Sequence, residues 1–234
     1  MVVSRTLRDY YGANYGIQPS FIPNGTDIRE RGTTKHLQEF GLEAGRYILF
    51  MGRFSPEKNC DLLIRAFQAI ETDLKLVLAG GSGYSDSYAA ALRQQQSGRI
   101  RLLNWVSGAA RDELLTNAML FVMPSDLEGL SLALLEAMGA GVCVLSSDVP
   151  ENRELVADAG FTFRAGDQYD LSRMLETLIS DDELRANAAR KCKQRIVETY
   201  LWPDITRQIE DEYFRVMGRN RGANSTGQDS EKAA

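Results

Sequence analysis

The stretch Phe121–Leu145, FVMPSDLEGLSLALLEAMGAGVCVL, decides the fold. An apolar strand over Phe121–Met123 runs into a polar loop closed by Gly129, then a helix from about Ser131 to Met138, a glycine turn and a second apolar strand. That is a βαβ unit. It carries two carboxylates, Glu128 in the loop just ahead of the helix and Glu136 in its second turn, with seven residues between them. A helix beginning near Ser131 turns free backbone N–H groups and the positive end of its dipole toward the loop, which suits an anion such as a phosphate. Two acceptor groups beside an anion cradle suit a ligand with phosphates at its centre and hydroxyls on either side, as in a nucleotide-sugar.

Outward from this unit the alternation of short apolar strand, loop and amphipathic helix repeats. Strands are expected near Tyr47–Met51, Leu74–Ala79, Ile100–Leu103, Phe121–Met123, Val142–Leu145 and Phe161–Phe163. Helices are expected near Asp61–Glu71, Ser87–Ser97, Arg111–Ala118, Ser131–Met138, Asn152–Val156, Tyr169–Ile179, Glu183–Thr199 and Pro203–Met217. The pattern predicts an α/β, Rossmann-like three-layer sandwich around a parallel sheet of about six strands. Ahead of it, Val2-Val3-Ser4 reads as the end of a strand, followed by a short helix and by Phe21-Ile22 running into a Pro-Asn-Gly turn. The stretch from Arg219 lacks apolar residues beyond alanine and is expected to be disordered.

Composition sets the bounds. At 234 residues, 44% hydrophobic and 25% charged, the chain is long enough for one domain of substantial core, or one plus part of a second. No apolar run approaches the roughly 18–20 residues that span a bilayer, and the first residues do not read as a secretory signal. Cys60, Cys143 and Cys192 form no CxxC pair and fit a reducing, cytoplasmic compartment. The net charge of −5 argues against general nucleic-acid binding, so a phosphate ligand would need a local basic cluster. His36 is the only histidine, which speaks against a histidine triad or a histidine-rich metal site.

In open α/β sheets ligands bind at the carboxyl ends of the strands, so those connections carry the function. After the first strand stands Gly52-Arg53-Phe54-Ser55-Pro56-Glu57-Lys58-Asn59. Gly52 permits close backbone approach, Arg53 can fork two phosphate oxygens, and Lys58 can act as a mobile point charge. After the second stands Gly80-Gly81-Ser82-Gly83; a dinucleotide GxGxxG would need glycine where Asp86 stands. After the third, Asn104-Trp105-Val106-Ser107 offers an indole that either stacks on a base or packs in the core.

The segment from Pro124-Ser125 through Glu128-Gly129, Leu134-Leu135-Glu136-Ala137-Met138 and Ser147-Asp148 to Glu151 resembles the donor site of retaining GT-B glycosyltransferases of family 4. Glu128 and Glu136 fall on that family's Glu-x7-Glu signature, Gly52–Asn59 is close to its diphosphate-binding loop, and Gly80-Gly81-Ser82-Gly83 falls where the family has a Gly-Gly-x-Gly turn, which implies a structural role with backbone approach to the ligand at Gly81. The resemblance implies a nucleoside diphosphate sugar as donor substrate, with no cofactor and no metal. It makes Arg53, Lys58 and Glu128 the catalytic set, the two cations on the leaving diphosphate and Glu128 on the donor sugar's hydroxyls. Glu136 would accept from the ribose hydroxyls, Val106 would read the base through its backbone, and the N–H groups of Gly129, Leu130 and Ser131 would face phosphate and sugar. Two departures stand out: Leu130-Ser131 replaces Phe-Gly, and Gly141-Val142-Cys143 replaces Gly-x-Pro.

By the same resemblance residues 1–24 are the remnant of an N-terminal domain and linker, 25–200 the nucleotide-sugar-binding domain, 201–218 a crossover helix and 219–234 a tail. The chain would be the donor half of a GT-B fold, meeting an acceptor glycan, lipid or small molecule through the missing domain, with no nucleic-acid partner, no transmembrane segment and peripheral membrane contact as an option. Two other readings stay open: a non-catalytic nucleotide-sugar-binding subunit that needs a separate acceptor-domain chain, and a nucleotide-sugar epimerase. A divalent metal on Asp126 and Glu128 is a weaker alternative, because no Asp-x-Asp is present and two basic residues already offset a diphosphate's charge.

Overall fold

The computed structural model describes residues 1–81 and 86–218. Helix α1 (Arg5–Tyr15) and the short α2 (Lys35–Glu39) precede β1 (Tyr47–Arg53); α3 (Cys60–Gln68), β2 (Lys75–Gly81), α4 (Asp86–Arg93) and β3 (Ile100–Leu103) follow. Then come α5 (Gly108–Thr116), β4 (Leu120–Met123), α6 (Leu132–Gly139), β5 (Cys143–Ser147), α7 (Pro150–Val156), β6 (Phe161–Phe163), α8 (Gln168–Ser180), α9 (Asp182–Thr199) and α10 (Trp202–Val216).

The strands form one sheet in the order β3-β2-β1-β4-β5-β6, every neighbouring pair parallel. Tyr47–Phe50, Leu76–Leu78 and Leu120–Val122 are fully buried, which explains why these strands read as unbroken apolar runs rather than alternating ones. The order reverses between β1 and β4. With right-handed crossovers, that reversal puts the helix leaving β1 and the helix leaving β4 on opposite faces. Accordingly α3 packs on α8, while α6 packs on α5 and α9. The expected α/β sandwich with a six-stranded parallel sheet is the observed one.

Boundaries differ where backbone pairing outlasts the side-chain pattern. β1 and β2 run two residues further than their apolar runs, because Gly52 pairs with Gly80 and Arg53 with Gly81. A Cβ on Gly80 would stand 1.8 Å from the Gly52 carbonyl oxygen, so the two strands meet this closely only because the position is glycine. Ser131 is the N-cap of α6 rather than its first residue, its hydroxyl accepting from Leu134 N at 3.3 Å. Helix α2 was not expected, being too short to show a period. The Glu113 carboxylate holds its start, accepting from His36 N at 2.8 Å and from the Thr33 hydroxyl, and these bonds keep that carboxyl below the usual range.

At the N-terminus Val2 bridges Phe21, and Arg5 N donates to the Glu154 carboxylate, which fixes α1 beside α7. At the other end Thr26 N donates to Tyr200 O at 2.8 Å, and Ser20 Oγ donates to Glu212 on α10 at 2.5 Å. Of α10, Ile205 is buried, while Tyr213 and Val216 are exposed, as is Met217 just after it. Cys60, Cys143 and Cys192 are buried free thiols, and burial pushes Cys143 and Cys192 up to about 12. No described helix is long and apolar enough to cross a membrane. The tail from Arg219, expected to be disordered, and Ser82 and Gly83 of the glycine turn lie outside the described residues.

Candidate functional site

The carboxyl ends of β1 and β4 lie side by side at the reversal of strand order, where an open α/β sheet leaves a crevice between diverging connections. The first connection is a 3-10 turn, Pro56–Lys58, followed by Asn59 in the left-handed region. The second is the loop from Pro124 to the N-cap Ser131. Three contacts join them. Asp126 N donates to Glu57 O at 2.9 Å, Asn59 Nδ2 donates to Pro124 O at 3.3 Å, and Lys58 Nζ pairs with Glu128 Oε1 at 2.6 Å. The pair is largely shielded, with side-chain exposures of 14% and 7%.

Arg53 is the last residue of β1 and is exposed, with one guanidinium nitrogen 4.0 Å from Glu57 Oε1. Glu57 itself accepts from Ser55 Oγ at 2.6 Å, and this hydroxyl chiefly keeps its carboxyl below the usual carboxylate range. The first turn of α6 stands at the end of the second connection. Helix geometry leaves the N–H groups of Leu132 and Ala133 without an intrahelical acceptor, whereas that of Leu134 is taken by Ser131. Gly129 lies in the loop under Val3, and Leu130 is half-buried against the core.

Glu136 is held by a separate set of residues. Its Oε1 accepts from Arg111 at 3.1 Å and from Arg29 at 3.4 Å, while Asp112 closes the cluster by accepting from both arginines at 3.2 and 3.0 Å. Arg111 and Asp112 belong to α5, and Arg29 comes from the extended segment ahead of α2. Glu136 thus faces neither Arg53 nor Lys58 as an ion-pair partner. The acids and bases sort into two clusters, Lys58 with Glu128 and Arg53 with Glu57 on the connections after β1 and β4, and Glu136 with Arg29, Arg111 and Asp112 where α6 meets α5.

Beyond β3 a cavity of about 470 Å³ opens between Phe40, Leu103, Trp105, Val106, Ser107 and Ala110. Trp105 is 61% exposed with its indole nitrogen over Gly81, so packing in the core is not its role. The structure places Gly52, Arg53 and Gly81 at the ends of β1 and β2, Lys58 in the turn after β1, Val106 in the connection after β3, Glu128, Gly129, Leu130 and Ser131 ahead of α6 and Glu136 in its second turn, and it joins Lys58 directly to Glu128. The sequence did not reveal Arg29, Arg111 and Asp112, which no spacing links to Glu136, nor Asn59, whose signal was its place beside Lys58. The connections after β1 and β4 thus bring together Arg53, Lys58, Glu57 and Glu128 ahead of the free N–H groups of α6, while the cavity with the exposed Trp105 opens beyond β3. Cations and free helix N–H groups suit an anionic ligand, and carboxylates suit one that bears hydroxyls.

The family described as "Glycosyl transferases group 1" matches residues 33–195. O-antigen chain mannosyltransferase B of Escherichia coli is 34% identical over 184 residues, covering 76% of this chain and 48% of that protein. Phosphatidyl-myo-inositol mannosyltransferase of Mycolicibacterium smegmatis is 30% identical over 228 residues, covering 93% of this chain and 57% of its own length. The chain thus spans about half the length of the curated relatives it matches. Among solved structures, the HepE protein of Anabaena in complex with UDP-glucose superposes with a TM-score of 0.84 at 21% identity, over 92% of this chain and 63% of that one. At that identity the likeness carries the fold alone.

Proposed function

The chain belongs to the glycosyl transferases group 1 family, and from that premise we propose that it is the donor-binding half of a retaining, metal-independent family 4 glycosyltransferase that uses a nucleoside diphosphate sugar. The observation that carries this reading is the Lys58–Glu128 pair at 2.6 Å, set where the strand order reverses. Arg53 forks two oxygens of the diphosphate and Lys58 adds a point charge. The bond between the anomeric carbon and the diphosphate oxygen breaks, the acceptor oxygen bonds to the same carbon on the same face, and the acceptor's proton passes to the departing diphosphate. Negative charge grows on that leaving group, and pre-placed cations are most effective there because nothing has to reorganise during the step.

Glu128 accepts from the donor sugar's hydroxyls through the oxygen that Lys58 leaves open, and Glu136 accepts from the ribose. The base enters the cavity lined by Val106, with Trp105 at its edge. The N–H groups of Gly129, Leu130 and Ser131 face the phosphate and sugar, while Gly52 and Gly81 let backbone approach the ligand. Arg53 and Lys58 supply the charge compensation that other transferases draw from a metal. We place the protein in the cytoplasm, where three free buried thiols stay reduced.

Titration of the chain with UDP, GDP, UDP-glucose and GDP-mannose by calorimetry tests the reading. At least one should bind, and Arg53→Ala and Glu136→Ala should each weaken it by about tenfold, the worth of a charge-assisted hydrogen bond. No heat with any of the four, or undiminished binding in both variants, rejects it. In a second reading the chain is a non-catalytic nucleotide-sugar-binding subunit. In that case the chain binds donor without transferring it and needs a separate acceptor-domain chain. Glycosyl transfer by the isolated chain would exclude this second reading.

A further inference from the structure

We propose that Arg29 is a positioning residue, holding Glu136 by one carboxylate oxygen so that the other is presented to the ribose hydroxyls of the donor nucleotide. The inference rests on Glu136 being the ribose acceptor. Both guanidinium contacts to Glu136, from Arg111 at 3.1 Å and from Arg29 at 3.4 Å, converge on Oε1. Oε2 accepts no hydrogen bond from a described residue. The carboxylate is therefore fixed from one side and left open on the other, at a side chain still 25% exposed.

Arg29 is built for holding rather than for touching a ligand. Its side chain is only 14% exposed, and each of its three nitrogens has an acceptor. Nε donates to Asp112 at 3.0 Å, Nη1 to Thr26 Oγ1 at 3.3 Å and Nη2 to Glu136. A lysine cannot reproduce that fork. The backbone beneath it is anchored as well: Arg29 N donates to Gly139 O at 3.1 Å, at the end of the helix that carries Glu136. A free glutamate side chain would have to give up rotamer freedom when the nucleotide binds. One held in place beforehand has already done so, which raises affinity for a ligand that offers hydroxyls to it.

The distinction from a merely structural ion cluster lies in the ligand. Calorimetry on the full chain would compare UDP and GDP with their 2′,3′-dideoxy counterparts, in wild type, Arg29→Ala, Arg29→Lys, Glu136→Gln and the double variant Arg29→Ala/Glu136→Gln. Arg29→Ala should weaken ribonucleotide binding by about tenfold, as loss of a charge-assisted contact does, and leave dideoxynucleotide binding unchanged. Arg29→Lys, which keeps the charge without the fork, should show a smaller loss with the same selectivity. It also serves if the alanine variant fails to fold. The double variant should bind no more weakly than Glu136→Gln alone. Equal loss for both nucleotide types, or no loss at all, overturns the role of Arg29 while leaving the donor site standing. Failure of wild type to bind UDP or GDP, or its indifference to the ribose hydroxyls, overturns the reading of Glu136 and the inference together.

Discussion

Lys58 Nζ lies 2.6 Å from Glu128 Oε1, and the contact closes the two connections that leave the sheet where its strand order reverses. Each charge is mostly removed from water, so each depends on the other. Lys58→Ala strands the Glu128 carboxylate at a side chain only 7% exposed, and should cost about 2–3 kcal/mol. Glu128→Gln keeps a neutral acceptor opposite the ammonium and should cost less. The double variant should cost less than the sum of the two singles, because the stranded charge is gone. Urea unfolding of the three variants measures this, and strict additivity would show that the two side chains do not depend on one another.

The close approach of β1 and β2 at their carboxyl ends gives a second expectation. A Cβ at residue 80 would stand 1.8 Å from the Gly52 carbonyl oxygen, a backbone atom that the sheet holds in register. Gly80→Ala should therefore cost at least about 3 kcal/mol or prevent folding, since the strand ends would have to separate. Gly98, with nothing within 4 Å of its would-be Cβ, is the control. Gly98→Ala should fall within about 0.5 kcal/mol of wild type. Thermal melts of both variants decide it.

These cases show what the sequence reveals and where it stops. The sheet is legible because strands buried on both faces must be apolar throughout, and the position of Glu136 in the second turn of α6 follows from helical spacing. The partners of Glu136 are not legible. Arg111 is 25 residues away and Arg29 is 107, and only the tertiary fold brings α5 and the extended segment against α6. Gly52 and Arg53 look like a loop because glycine ends apolar runs, whereas backbone pairing with Gly80 and Gly81 keeps them in the strand. A lone tryptophan gives no hint of its exposure, so Trp105 could be settled only by its position over Gly81.

Acid should loosen the contact between α10 and the N-terminal segment. Arg215 first, and then the Ser20 hydroxyl, lower the Glu212 carboxyl to about 2. A carboxylate whose folded pKa lies below its unfolded value of about 4.3 contributes stability that is fully present above the unfolded value. That contribution is lost as pH falls through the folded pKa, so the window lies between about pH 4 and about pH 2. Glu212→Gln removes the titrating group. Its urea midpoint should fall less steeply with acid across that window than the wild-type midpoint, and parallel profiles would mean the contact does not contribute.

The end of α6 links stability to the proposed nucleotide site. Gly139 lies beneath the segment that delivers Arg29, and a Cβ there would stand 2.6 Å from the Asp27 carbonyl oxygen and 3.1 Å from Thr26 Cγ2. The first of these is backbone and cannot rotate aside, so Gly139→Ala must push the Thr26–Arg29 segment away from the helix. Such overpacking costs about 1–3 kcal/mol. The same displacement would lengthen the hydrogen bond from Arg29 N to Gly139 O, now 3.1 Å, and draw the guanidinium from Glu136. Calorimetry should then show weaker binding of whichever of UDP and GDP the wild type takes, at temperatures where the variant is still folded. Loss of stability with unchanged affinity would mean that the segment and the carboxylate move independently.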